Sequence, residues 1–297
     1  MKLDADIEAS EDECRWTQIS KILKLNEAER REGNMQEIIT SSKNEKLRNV
    51  ALLQKKKKLR EEQGLFVIEG LRIFEDALRS APECIEQIYV SAGFTESEEW
   101  KNICSGENAG YTASAKIVAD DIFDRICETV TPQGILCVMR MKEYNYPDIP
   151  KDRLLLLENI QDPGNLGTMV RTAEAAGISG IIMSHDTVDI YSPKVTRSTM
   201  GSIFRVPFLY SADLCETIDM LKKDGVTVYG AYLRNGRPYN EVNYKAPCAV
   251  LIGNEGNGIT DKAIARVSER VYIPMCGQIE SLNAAIAAAL IMYRLVF

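Results

Sequence analysis

The segment YIPMCGQIESLNAAIAAALIMYRLVF, residues 272–297, ends the chain and carries the pattern that decides its fold. A short apolar run stops at Pro274, a polar loop with Ser281 and Asn283 follows, and small or apolar residues then continue almost without charge. Ser281 is a good residue type for capping the last helix. Because almost every face of that helix is apolar, we expect it to be buried in the core or against a second subunit.

The same succession of strand, polar loop and helix recurs upstream, starting at Arg153. Strand-like runs alternate with helix-like segments; the strands read RLLLLEN, ISGIIMS, VTVYGAYL, PCAVLIG and RVYIP, and the helices GNLGTMVRTAEAAG and DLCETIDMLKKDG. This alternation predicts an α/β domain with a largely parallel sheet covered on both faces. In sheets of this kind, ligands bind outside the carboxyl ends of the strands.

Two further loops at such strand ends carry unusual polar residues. In NIQDPGNLGTMVR, Asn165 stands at the entry of a helix and Arg171 lies within two turns of its start, so Arg171 can point toward the strand ends. Alternatively, it is an ordinary surface arginine paired with Glu174. In LIGNEGNGIT, Glu255 lies among glycines whose spacing fits neither a dinucleotide-binding fingerprint nor a P-loop. Taken alone, this segment is also compatible with a plain turn.

The first half of the chain predicts a separate, smaller unit. Residues 1–40 are polar and acidic and are interpreted as an N-terminal extension. Residues 41–142 alternate between strand-like and helix-like runs, which predicts a small α/β domain whose first helix begins near Asn44 after a cap at Ser41 or Ser42. Residues 143–152 contain two prolines and read as a linker to the domain formed by residues 153–297.

Charge is distributed unevenly along the 297 residues. The net charge of −7 does not favour nucleic-acid binding, and 45% hydrophobic residues are typical of a globular protein. Residues 43–60, however, carry eight lysines and arginines against a single glutamate, with Lys55, Lys56, Lys57 and Lys58 in an unbroken run. Such a cluster can contact phosphates, although a charge run is more often a solvated helix face.

Several classes of protein are disfavoured by what the sequence lacks. His185 is the only histidine and none of the eight cysteines forms a CxxC pair, so a zinc site and a Ser-His-Asp hydrolase are not expected. The longest apolar run is too short to span a bilayer, which needs about 20 residues. The acidic start lacks the apolar centre of a signal peptide. We therefore expect a cytoplasmic protein that binds neither metal nor membrane.

Together, the three loop segments resemble the motifs of the SpoU (TrmH) class of SPOUT RNA methyltransferases. The motifs are matched by NIQDPGNLGTMVRTAEAAG, LIGNEGNGI and IPMCGQIESLNAAIAAALIMY, and the joining stretch YSPKVTRSTMGSIFRVP is similar to the family as well. The resemblance covers residues 153–297, and residues 41–78 resemble the small substrate-binding domain that precedes the catalytic domain in many members. It implies a parallel-sheet SPOUT domain with a deep trefoil knot, and a homodimer packed through the last helix.

The resemblance also implies a reaction, which is methyl transfer from S-adenosylmethionine to a ribose 2′-hydroxyl of RNA. Cofactor contacts, chiefly through backbone, then fall on Gly253, Ile273 and Leu282. The catalytic residues become Asn165, Arg171, Glu255, Ser281 and Asn283. Because arginine normally remains protonated, Arg171 either activates the hydroxyl directly, as the family suggests, or stabilises a developing alkoxide or grips a phosphate.

The sequence leaves other substrates and other classes of protein open. Ribosomal RNA is the favoured substrate over transfer RNA, with Lys55 to Lys58 as RNA contacts. A non-catalytic RNA-binding protein would be favoured by loss of Arg171, Asn165 or Asn283, but all three are present. An unrelated α/β enzyme with a nucleotide cofactor is disfavoured by the absence of its motifs. For the homodimer, we expect Leu290, Ile291 and Leu295 among the buried positions.

Overall fold

Two β-sheets organise the residues that the structure, a computed structural model, describes, namely 38–105 and 108–297. The first sheet has the strand order β1-β4-β2-β3, with β4 antiparallel to both of its neighbours and β2 parallel to β3. Its strands are β1 (Leu65–Glu69), β2 (Ile85–Ser91), β3 (Lys116–Val118) and β4 (Ile135–Arg140). The first half of the chain thus forms a small α/β unit.

The second sheet is parallel throughout and has the order β7-β6-β5-β10-β8-β11-β9. Its strands are β5 (Arg153–Leu157), β6 (Gly180–Ser184), β7 (Phe208–Ser211), β8 (Thr227–Ala231), β9 (Arg237–Pro238), β10 (Cys248–Ile252) and β11 (Glu269–Tyr272). Because all strands run in one direction, the loops that follow β5, β10 and β11 leave from the same edge.

Helices cover both sheets. Those of the first unit are α1 (Glu45–Lys55), α2 (Lys57–Gln63), α3 (Leu71–Ser80), α4 (Glu98–Ile103), α5 (Ala109–Thr112) and α6 (Asp120–Ile126). Those of the second are α7 (Pro163–Ala176), α8 (Pro193–Thr199), α9 (Leu214–Lys223), α10 (Asp261–Ile264) and α11 (Ala284–Val296). None of the helices among the described residues is long and apolar enough to cross a membrane.

The second sheet is buried on both faces, as its apolar strands predict. Leu155 and Leu157 belong to a cluster that includes α7 and α11, whereas Leu154 and Leu156 pack in another with α9 and α10. Successive side chains of a strand point to opposite faces, so one leucine-rich strand supplies both cores. The expectation of a parallel sheet covered on both sides is confirmed.

Helix boundaries agree with the sequence in position but not always in the capping residue. Helix α7 is capped by Asp162 and ends at Gly177, whose φ of 77° is a conformation that glycine adopts without strain. Helix α1 is capped by Asn44, not by Ser41 or Ser42, and α11 by Asn283, not by Ser281. Both asparagine side chains accept hydrogen bonds from two backbone N–H groups of the first turn, which satisfies otherwise unpaired donors.

Three strands were not predicted from the sequence. They are β3, β7 and β9, which contain three, four and two residues. Runs this short show too few side chains to establish a two-residue period. Each is instead formed by pairing with a longer neighbour, β7 with β6 for example.

Residues just outside the predicted limits of the smaller domain, 41–142, also take part in the fold. Backbone hydrogen bonds of 2.9 and 3.0 Å join Ile39 to Ile117 and Ala119, at the edge of the first sheet. Within residues 143–152, the Tyr144 ring lies 5.9 Å from the Phe208 ring and Ile149 is buried. This segment therefore packs on the second sheet, and residues 1–37 of the predicted extension lie outside the described residues.

Candidate active site

The loops after β8, β10 and β11 line a cavity of about 480 Å³ at the carboxyl edge of the second sheet. Its lining includes Ile252, Ile273 and Leu282 together with the segment from Gly253 to Gly258. The volume lies within the range of small-molecule sites, which are mostly apolar with a few placed polar groups. Of the predicted residues, Gly253, Ile273, Leu282, Glu255 and Ser281 all line this cavity.

Glu255 holds the loop after β10 against the loop after β5. Its carboxylate accepts hydrogen bonds from the backbone N–H groups of Gln161 and Asp162, each at 3.1 Å, and from the side-chain amide of Asn165 at 3.0 Å. Partial burial works to raise the pKa of Glu255, but these hydrogen bonds outweigh it and hold the pKa below its usual value. Glu255 is therefore an anion with its oxygens already engaged.

Asn165 extends this contact to the third loop. Its side-chain oxygen accepts a hydrogen bond of 2.9 Å from the Nδ2 of Asn283, whose own oxygen caps α11. Asp162 fixes Asn165 in turn, by accepting from its backbone N–H at 2.8 Å. The three predicted residues Glu255, Asn165 and Asn283 thus form one continuous cluster, in which each comes from a different loop.

Gly253 is required by the packing of its own loop. A Cβ at this position would lie 2.2 Å from the carbonyl carbon of Gly258, because the backbones of Asn254 and Gly258 exchange two hydrogen bonds. No side chain fits such an approach without moving the loop. A glycine is therefore needed at this position to form the cavity wall, whether or not it contacts a ligand.

Asn254 is a site residue that the sequence analysis did not select. Its Nδ2 donates to the carbonyl of Asn159 at 2.8 Å, and its oxygen accepts from the N–H groups of Gly256 and Asn257 at 3.0 and 2.9 Å. An asparagine followed by glycine two residues later is the signal that could have identified this turn. Asn254 joins the loop after β10 to the loop after β5, beside the contacts of Glu255.

Arg171 stands apart from the cluster, on the exposed side of α7. Glu174, three residues further along the helix, binds Arg205 and Ser202 instead. The alternative pairing of Arg171 with Glu174 is therefore wrong. Within the described residues, Arg171 makes no hydrogen bond or ion pair, so its guanidinium is available to a ligand.

The lysine run lies in the first domain, where α1 and α2 meet. Lys55, Lys56, Lys57 and Lys58 are exposed. Lys57 and Lys58 approach Glu61 and Glu62 at 3.6 and 3.7 Å, distances typical of weak surface pairs. The run therefore presents positive charge to solvent and is separate from the cavity.

The described residues give no indication of a metal or disulfide role. They contain no group of three or more potential ligands that could hold a metal ion. Seven of the cysteines fall in this part of the chain and all are free thiols. His185 is exposed in the turn after β6, as the sequence suggested.

The fold and the site define an α/β methyltransferase of the SPOUT type. Residues 152–293 match the SpoU rRNA Methylase family, and residues 44–137 match the MRM3-like substrate binding domain. The chain is also 37% identical, over 86% of its own length and 98% of the relative's, to the 23S rRNA (guanosine(2553)-2′-O)-methyltransferase RlmP of Bacillus subtilis. It belongs to the SpoU rRNA methylase family.

Solved structures agree with this assignment. An rRNA methyltransferase from Sinorhizobium meliloti superimposes with a TM-score of 0.76 at 28% identity, covering 87% of this chain and 96% of that one. The same enzyme is known with AdoMet bound. An RNA 2′-O ribose methyltransferase superimposes with a TM-score of 0.70 at 30% identity, covering 87% and 97%. The predicted family, fold class and enzyme class are confirmed.

Proposed function

We propose that this chain transfers a methyl group from S-adenosylmethionine to a ribose 2′-hydroxyl of ribosomal RNA. The observation that carries the proposal is the Glu255–Asn165–Asn283 cluster, which brings all three family motifs together beside one cavity. The name of the Bacillus subtilis relative supports ribosomal over transfer RNA, and the AdoMet complex of the Sinorhizobium meliloti enzyme supports the cofactor.

The cavity has the chemistry that such a cofactor needs. Ile252, Ile273 and Leu282 supply apolar surface, and the polar loop from Gly253 to Gly258 lines the same cavity. When bound, S-adenosylmethionine supplies a methyl group on a positively charged sulfur. We assign its binding to Gly253, Ile273 and Leu282, and Ser281 lines the same cavity.

Methyl transfer requires the ribose oxygen to be aligned with the methyl carbon and to lose its proton. Glu255 is poorly suited to accept that proton, because three N–H donors occupy its carboxylate and lower its pKa. Its role is to position Asn165. Arg171 is exposed and makes no hydrogen bond or ion pair with the residues that the structure describes. We assign to it the ribose or its phosphate, as a donor of hydrogen bonds to developing negative charge.

A homodimer is the second part of the proposal. Helix α11 buries Ile291 and Leu295 within its own chain, so these two do not need a partner subunit. It leaves Ile286, Leu290 and Tyr293 exposed at 51%, 38% and 45%. Their spacing of four and three residues places them on one face of the helix, which a second copy could cover. The trefoil knot, which the family implies, and a cytoplasmic location, which the sequence predicted, belong to the same proposal.

The function is tested by incubating the purified protein with S-adenosylmethionine carrying a labelled methyl group and ribosomal RNA that lacks the modification. We expect label at a single ribose, found as a block to alkaline hydrolysis at one position. Transfer RNA is the comparison substrate. Label on a base, or on transfer RNA alone, would contradict the proposal, and binding of RNA without any transfer would favour the non-catalytic alternative.

A further inference from the structure

A buried arginine joins the lysine-rich segment to the catalytic domain. Arg60 is only 4% exposed, although it closes the run in which Lys55 to Lys58 face solvent. Its Nε donates to Oδ2 of Asp189 at 3.0 Å, and its Nη2 binds the same oxygen. Asp189 lies in the turn between β6 and α8. The ion pair therefore connects α2 of the first domain to the loop after β6 in the second domain.

The remaining nitrogen of Arg60 secures the other helix. Nη1 donates to the carbonyl oxygens of Leu53 and Gln54, in the last turn of α1. Between α1 and α2 the chain bends at Lys56, whose backbone is extended with φ −118° and ψ 105°. One guanidinium thus binds both helices and the catalytic domain. We call the bend from Lys55 to Lys58 the lysine elbow.

Asp189 is linked to the active site by two hydrogen bonds and the peptide bonds between neighbouring residues. The neighbouring Val188 donates its backbone N–H to the carbonyl of Ile160 at 2.9 Å. The next residue, Gln161, donates its own N–H to Glu255 at 3.1 Å. The lysine elbow and the catalytic cluster are therefore parts of one hydrogen-bonded framework, although they belong to different domains.

Docking of the two domains does not in itself require an ion pair. Phe66 and Tyr191 pack across the boundary with ring centroids 4.6 Å apart, and they belong to a single core cluster that spans both domains. Apolar burial is not directional, whereas a charge-assisted fork has a defined geometry. A buried pair is moreover often no more stabilising than apolar residues of similar size. The distinctive contribution of the Arg60–Asp189 ion pair is therefore to fix the orientation of the two domains.

We propose that Arg60 is a positioning residue that sets which nucleotide of a bound RNA is methylated. It does so by keeping the lysine elbow, which holds the phosphates, at a fixed distance from the methyl-transfer site. This inference rests on the proposed function, because it requires RNA to bind both places at once. The ligand class for the elbow is an RNA backbone flanking the target ribose.

The test is Arg60→Met in the full chain, which keeps an unbranched apolar stem and removes the fork. Arg125→Met is the matched control, since it removes the same charge from the same domain at an exposed ion pair of 3.5 Å with Asp121. We expect Arg60→Met to raise KM for RNA measurably, by less than the roughly hundredfold loss that a misplacement of reacting groups by about 1 Å can cause. Methylation should spread to neighbouring nucleotides, while affinity for S-adenosylmethionine and kcat at saturating RNA stay within about twofold.

Loss of folding is addressed by a second variant, Arg60→Met with Asp189→Asn. It leaves no unpaired buried charge and keeps an oxygen to accept the N–H of Tyr191. It should be folded and still methylate the wrong positions. A parental KM and a single parental site in a folded Arg60→Met or in the double variant would overturn the inference. Failure of the parent to methylate RNA would instead overturn the proposed function.

Discussion

The side-chain nitrogen of Asn283 lies 2.9 Å from the side-chain oxygen of Asn165, although 118 residues separate them in sequence. Asn283 is also the cap of α11, so the start of the last helix and the entry of α7 are held together directly. Because Asn165 further donates to Glu255, a single amide orients both an anion and a helix end. This one side chain therefore links the loop after β10 to the start of the last helix.

The first prediction concerns this amide and the acidity of Glu255. Asn165→Ala removes the strongest of the hydrogen bonds that lower the pKa of Glu255, so that pKa should rise. A carboxylate with a lowered folded-state pKa stabilises the protein above its unfolded pKa of about 4.3, and this stability is lost as pH falls through the folded pKa. The destabilisation caused by Asn165→Ala should therefore be larger at pH 7 than in acid.

Carbon NMR of the Glu255 carboxyl and urea unfolding at several pH values measure the two effects. Gln161→Ala is the control, because the side-chain amide of Gln161 binds Asp186 and only its backbone N–H reaches Glu255. The pKa of Glu255 should stay low in this control. An unchanged pKa in Asn165→Ala would contradict the assigned contact.

The second prediction is that Arg171 acts on the RNA and not on the cofactor. Arg171→Ala should fold and bind S-adenosylmethionine like the parent, yet lose methyl transfer by at least about a hundredfold. Arg171→Lys should fail as well, since an ammonium cannot reproduce the planar fork of donors. Single-turnover transfer with saturating cofactor is the measurement, and Arg125→Ala is an exposed control. Near-normal transfer by Arg171→Ala would remove this residue from the mechanism.

The third prediction is that the lysine elbow contacts phosphates. Changing Lys55, Lys56, Lys57 and Lys58 to Gln should weaken RNA binding. The slope of the logarithm of the binding constant against the logarithm of the salt concentration should become less steep, by roughly 0.7 to 0.9 for each lost phosphate contact. Cofactor affinity should not change. The control neutralises four other exposed lysines, namely Lys101, Lys116, Lys223 and Lys245. If both quadruple variants show the same salt slope, the run is only a solvated surface.

The fourth prediction distinguishes two glycines of one loop. Gly253→Ala would place a methyl group 2.2 Å from the Gly258 backbone, whereas in Gly256→Ala the nearest atom, Oδ1 of Asn254, is 3.6 Å away. The first change must displace the cavity wall and should weaken S-adenosylmethionine binding at least about tenfold, while the second should be tolerated. Calorimetric titration of both variants decides the matter. Equal affinities would mean that the wall does not contact the cofactor.

The fifth prediction concerns assembly through α11. Leu290→Glu places a charge in the exposed apolar stripe and should convert a dimer into a monomer at micromolar concentration, measured by light scattering. Met220→Glu is the control, because Met220 is 42% exposed on α9, away from the stripe. A parent that is monomeric, or a Leu290→Glu variant that remains dimeric, would argue against this interface.

The sequence by itself determined the class of fold and the residue types of the site. The strand RLLLL is a short continuous apolar run between turn residues, and the helix closed by Gly177 shows a helical period, so both are readable without a partner. The glycines around Glu255 and the three ordered motifs likewise identified the family. The lysine run was visible as composition alone.

Only the tertiary structure decided the contacts between distant segments. Nothing local distinguishes Ser281 from Asn283 as a cap, and Asn283 takes that role while its other amide atom binds Asn165. The partner of Glu174 is Arg205, which sequence spacing could not favour over a nearer arginine. Arg60 looked like one more basic residue, and its burial against Asp189 follows from the way two domains meet. Long-range pairing depends on packing of the whole chain, which no local period encodes.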